Sequence, residues 1–152
     1  VAMLFGDTES ATTVERQLVE SGRATSNDYN SLAWLDLMAG KVTQATLETA
    51  NKGMMLGGAE ATGLVHTTAA IEAELGKETE ARGAILQRMK VMGAEEPDDD
   101  DWYVFGRIAE QYGLATDATA YYRKLARPEN ELAIPSSSYG LAQRRLKAME
   151  KR

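Results

Sequence analysis

The sequence predicts an all-α fold: tandem helix-turn-helix units followed by a C-terminal capping helix. Three observations carry this. Gly40, Gly76 and Gly113 stand 36 and 37 residues apart, a spacing that marks repeated helix pairs. Each Gly is followed five residues later by an Ala (Ala45, Ala81, Ala118) and preceded by seven residues by a small residue (Ala33, Ala69, Gly106). Around these landmarks the apolar residues recur at helical spacing, clearest in Trp102, Phe105, Gly106, Ala109 and Tyr112 and then in Ala118, Tyr121, Tyr122 and Leu125.

Taken in order, residues 1–11 read as frayed, and a leading helix follows over 12–21, with Thr12 or Thr13 as its cap. Repeat one covers 27–56, repeat two 60–93 and repeat three 98–127, each expected to fold as two helices closed at its Gly, which takes a left-handed conformation without a Cβ penalty. Gly57-Gly58 reads as a turn between units. The small residues mark helix crossings, so Gly106 and Ala118 should let two backbones approach while aromatics fill the space around them. After Pro135-Ser136-Ser137-Ser138, a helix over 137–151 places Tyr139, Leu141, Ala142, Leu146 and Met149 on one face. Arg144, Arg145, Lys147 and Lys151 lie elsewhere, as a cap over the last repeat requires.

These residues resemble the tetratricopeptide repeats, whose units of about 34 residues follow W-x2-L-G-x2-Y, then A-x3-F, then P. Trp102-x2-Phe105-Gly106, Ala118-x3-Tyr122 and Pro128 match in the third unit. Leu32-Ala33 and Ala45 match in the first, and Ala69, Leu75-Gly76, Ala81 and Ile85 in the second. The match covers residues 27–127; its spacing exceeds the family's by two or three residues, and Asp36 and Glu72 stand where an aromatic is expected. The resemblance implies a right-handed α-α superhelix whose first helices line a concave groove. The units are also similar in style to the repeat tails of large bacterial proteins.

At 152 residues the chain can bury one core, and 43% hydrophobic with 26% charged residues is a composition that folds. A net charge of −6 argues against nucleic acid, whose binding needs cations to displace counterions. The absence of Cys removes disulfides, thiolate metal ligands and a cysteine nucleophile. No apolar run approaches the roughly 20 residues of a membrane span. The opening Val1-Ala2-Met3-Leu4-Phe5 reads as the start of a piece cut from a longer protein, and the composition is compatible with cytoplasm or periplasm.

His66 is the single imidazole, and its sequence neighbours Thr67 and Thr68 do not share its helical face, so no nucleophile-base pair is evident. Asp98-Asp99-Asp100-Asp101 lacks the spaced pattern of a calcium loop and reads as the N-terminus of the helix carrying Trp102. No enzyme, cofactor or metal is expected. The groove is the remaining candidate: Asn27, Asn30, Trp34 and Met38 of the first unit, His66, Ala70 and Glu74 of the second, and Tyr103, Arg107, Glu110 and Gln111 of the third. Aromatics, Arg and amides are the types enriched where proteins meet. With Asp36 and Glu72, the carboxylates would favour a neutral or basic segment.

The expected function is therefore non-catalytic binding of a protein or peptide segment in that groove. The alternative is an architectural or self-associating segment, with the groove filled by its own protein. An open groove would leave Trp34, His66 and Tyr103 accessible, and a filled one would hide them.

Overall fold

A computed structural model describes residues 8–58 and 61–151, and within them the chain is all-α. Its elements are α1 (Thr8–Glu20), α2 (Ser26–Met38), α3 (Gln44–Leu56), α4 (Ala61–Glu74), α5 (Glu78–Met92), α6 (Asp101–Gln111), α7 (Ala115–Tyr122), a 3-10 helix (Glu131–Ser136) and α8 (Ser138–Met149). Among the described residues no helix is long and apolar enough to cross a membrane.

The three landmark glycines sit at equivalent turns. Gly40, Gly76 and Gly113 adopt φ of 66°, 70° and 75° between α2 and α3, α4 and α5, and α6 and α7. In each turn the residue after the Gly donates its N–H five residues back: Lys41 to Asp36 O, Lys77 to Glu72 O, and Leu114 to Ala109 O, at 2.8–2.9 Å. This is the Schellman closure, which satisfies a helix-end carbonyl and reverses the chain. The helices begin on side-chain caps where the sequence supplies them. Thr25 and Asp28 form a reciprocal box ahead of α2, Thr43 and Thr46 another ahead of α3, and Ser137 accepts from Gly140 N at 3.1 Å ahead of α8.

Consecutive helices pack on one another, and α2, α4 and α6 also pack side by side. The main core gathers Leu37, Ala69, Ala73, Ile85, Tyr103, Val104, Tyr122, Leu141 and Ala142, so α8 is part of it. Ala33 and Ala69 are fully buried at the crossings. A Cβ on Gly106 would stand 2.3 Å from Tyr122 Cε1, and the missing side chain is what admits that ring between α6 and α7.

Three local expectations need correction. Ala45 is exposed, and Thr46, 1% exposed, takes the buried position; its hydroxyl closes the α3 box and donates to Asp36 Oδ2 at 2.9 Å, rotating the first unit by one residue. Thr12 and Thr13 lie inside α1, where Thr13 Oγ1 donates to Glu9 O at 3.0 Å. Residues 8–11 are helical, with Ala11 buried, whereas residues 1–7 fall outside the described range.

Candidate functional site

Of the residues expected to line a groove, Trp34, Met38, His66, Glu74, Tyr103, Arg107 and Glu110 meet on one face along α2, α4 and α6, whereas Asp36 turns to Thr46 of α3, Glu72 faces away toward α5 and Ala70 is buried in the core. The chain's own C-terminal segment lies on that face. Trp34 donates from Nε1 to Ser136 O at 2.9 Å, fixing the end of the 3-10 helix to α2. Arg144 of α8 reaches Met38 O at 3.4 Å. Tyr103 and Arg107 are 1% and 7% exposed. Asn27 is exposed in the first turn of α2, and half-buried Asn30 holds an Oδ1 without a hydrogen-bond partner.

Charges alternate across this face. Glu74 of α4 accepts from Arg107 through Nε at 2.7 Å and Nη2 at 2.9 Å, and from the Tyr103 hydroxyl at 2.8 Å. Arg107 Nη1 then donates to Glu110 Oε2 at 2.8 Å, and Glu110 also receives Tyr122 Oη at 3.0 Å and Arg145 Nε at 3.0 Å. Two carboxylates and two guanidiniums thus neutralise one another in a largely dry site, with hydrogen bonds in place on the faces they present. Burial and then the Glu74 carboxylate push the Tyr103 phenol well above its usual range, so it remains a donor. Burial alone would raise Glu110, but the hydrogen bond from Arg145, the charge of Arg107 and the Tyr122 hydroxyl outweigh it and hold the carboxyl below its ordinary value. Gln111 is exposed and donates to Ala73 O at 3.1 Å.

His66 has partners that sequence distance concealed. Its Nδ1 lies 2.9 Å from Asp101 Oδ1, and its Nε2 lies 3.2 Å from Ser138 Oγ. A carboxylate only accepts, so Nδ1 carries a proton toward Asp101, and Nε2 shares a hydrogen bond with the serine hydroxyl, which can donate or accept. This is the connectivity of a serine-histidine-aspartate triad. Its members are 9%, 1% and 3% exposed in the order His66, Asp101, Ser138. Asp101 Oδ2 also lies 3.3 Å from Arg88 Nη2, and Asp98 pairs with the same guanidinium. The Asp98–Asp101 run therefore does not supply a side-chain cap to α6; its last member reaches inward to His66, and its first binds Arg88.

Two small openings remain at the rim of α8. One of about 270 Å³ lies between Met38, Val42, Tyr103 and Arg144. The other, about 300 Å³, lies between Asn30, Trp34, His66, Ser137 and Ser138. Among the described residues no group of three or more His, Asp or Glu is placed to hold a metal. Sequence reasoning missed Asp101, Ser136, Ser138 and Arg145 as members of this face. Of the serine run after Pro135, Ser137 caps α8, Ser136 contributes its backbone carbonyl and only Ser138 brings a hydroxyl to this face, so the run carried little signal. No protein-family model, curated protein or solved structure matches the chain.

Proposed function

We propose that the chain is a non-catalytic scaffold of the tetratricopeptide kind, a right-handed superhelix of helix pairs that holds polypeptide. Its α2-α4-α6 face is closed by its own C-terminal segment. In this reading the chain is architectural, and the closing segment is its internal ligand. The observation that supports this most is the seating of residues 136–145. Ser136 O accepts from the Trp34 indole N–H, the Ser138 hydroxyl meets His66 Nε2, Arg145 donates to Glu110, and Leu141 enters the common core. These bonds tie the C-terminal segment, 3-10 helix and α8 together, to all three of the first helices of the pairs.

The Ser138-His66-Asp101 chain acts in this reading as a latch. A serine nucleophile has to be reached by its substrate, and Ser138 is 3% exposed, in the first turn of the helix that closes the face. A buried, connected polar chain instead fixes which elements meet and in what register.

Deleting residues 129–152 tests the reading. Loss of cooperative unfolding by circular dichroism is the expected result, because Leu141 and Ala142 leave the core and Glu110 loses Arg145. A truncated chain that stays folded, exposes Trp34 to a fluorescence quencher and rebinds the 129–152 peptide reversibly would instead identify a displaceable segment-binding groove.

A further inference from the structure

The side of α4 away from α8 carries a second feature. Glu72 and Glu74 lie two positions apart, which at 3.6 residues per turn sets them about 200° apart around the helix. Glu74 meets Arg107, whereas Glu72 faces a cleft of about 620 Å³ floored by α4 and walled by α3 and α5.

The two ends of this cleft differ in chemistry. At one end Met54, Val65, Val91 and Met92 form the lining. Val91 and Met92, in the last turn of α5, are 76% and 58% exposed. Apolar exposure grouped in this way marks interaction surfaces, and methionines adapt to varied partners. At the other end stand Glu72 and Glu80. Glu72 Oε2 is buried without a hydrogen-bond partner, and so is the hydroxyl of Thr68, a residue 4% exposed that also lines the cleft. Burial and then the neighbouring Glu80 hold the Glu72 carboxyl above its ordinary 4.5, with Lys77 acting against them. Arg88, which also lines the cleft, is engaged by Asp98 and Asp101.

We propose that this cleft docks a basic amphipathic helix of a partner protein, with apolar side chains between Met54 and Met92 and a Lys or Arg between Glu72 and Glu80. The proposal rests on the scaffold reading for its premise that the chain works by holding polypeptide. An acidic segment would bring a third carboxylate to the same end. A neutral one would leave Glu72 Oε2 buried without a hydrogen-bond partner, which is costly. A cation satisfies Glu72, and the chain's net charge of −6 draws cations toward it. Ala61 to Glu72 spans about 16 Å of α4 at 1.5 Å per residue, the length of three turns of a docked helix. Apolar anchors at helical spacing in a groove are an established recognition mode.

The test uses the full chain and a labelled alanine-based helix of about 14 residues, bearing a leucine stripe and two lysines at one end, followed by fluorescence anisotropy. A matched peptide carries glutamates in place of the lysines. The lysine peptide is expected to bind, with affinity falling as salt is added. Glu72→Gln should weaken it about tenfold, and Val91→Asp should abolish it. Glu72→Gln should at the same time raise the melting temperature of the free chain, so the lost affinity cannot be ascribed to misfolding. Equal binding of the glutamate peptide, or no binding of either, overturns the proposal. So does self-association of the free chain that Val91→Asp abolishes, since the face would then belong to a second copy. Failure of the scaffold reading shows separately, in the 129–152 deletion, because residues 51–92 alone line this cleft.

Discussion

Arg145, in the last helix, holds the Glu110 carboxylate of α6 through both Nε and Nη2, joining the C-terminal segment to the buried charge chain that begins at Glu74. Glu110 is the point where Arg107, Tyr122 and Arg145 meet. Its folded-state pKa lies below the unfolded one. Its stabilising contribution is therefore fully present above the ordinary carboxylate value and is lost as pH falls through the depressed folded value. Glu110→Gln should cost about 1.5–3 kcal/mol near neutrality, the range for hydrogen bonds to charged groups. The deficit should shrink on acidification until the two chains melt together. Melting temperature against pH, from 7 to 3, checks this. A deficit that stays constant with pH would mean that the charge on Glu110 is not what the arginines require.

Gly106 is a packing position with no latitude, since an added methyl would overlap the Tyr122 ring. Gly106→Ala should destabilise by about 1–3 kcal/mol despite the better helix propensity of Ala, because overpacking outweighs the gain of up to about 1 kcal/mol that Gly→Ala gives elsewhere in a helix. Gly83, in α5, has nothing within 4 Å of where a Cβ would stand, so Gly83→Ala should stabilise. Urea unfolding of both variants supplies the comparison, and equal signs would refute the packing argument.

Much of this fold was legible because its signals are local. Gly40, Gly76 and Gly113 announce turns through a backbone conformation that favours Gly, and Ala33, Ala69 and Gly106 announce crossings through their size. The convergence of Trp34, His66, Tyr103 and Arg107 was legible for the same reason, since repeat register places equivalent positions on one face. What covers that face was not. Ser136 and Ser138 lie more than seventy residues from Trp34 and His66 respectively, and no periodicity links a serine run to an indole or imidazole so far back. Asp101 reads as a helix-start residue because sequence shows its place in α6 and not the direction of its side chain. Repeat register alone puts Glu72 in the same groove as Glu74, although two positions on a helix set them on opposite sides.

The His66 latch makes a chemical prediction. If Ser138 only closes a polar chain, a fluorophosphonate reagent should leave it unlabelled in the folded protein, and generic ester substrates should not be turned over. Asp101→Asn should destabilise by about 1–3 kcal/mol, since the amide cannot reproduce the carboxylate's interactions with both His66 and Arg88. Stoichiometric labelling that Ser138→Ala removes would make the triad a catalytic one and overturn the scaffold reading.

Glu72 predicts a pH slope opposite to that of Glu110. Its folded pKa is raised, chiefly by burial and next by Glu80, with Lys77 opposing. Between the ordinary 4.5 and the raised value the folded chain binds more protons than the unfolded one, so stability falls as pH rises through that window and stays lower above it. Replacing Glu72 by Gln removes a charge that the free protein holds at a loss. The variant should therefore melt higher than the parent at pH 7, and the advantage should disappear as pH falls toward 4.5. Thermal melts of the two chains across that interval decide the point. A Gln variant that melts no higher at pH 7 would mean that Glu72 is already satisfied in the free chain, and the cleft would lose the unpaired charge that calls for a basic partner.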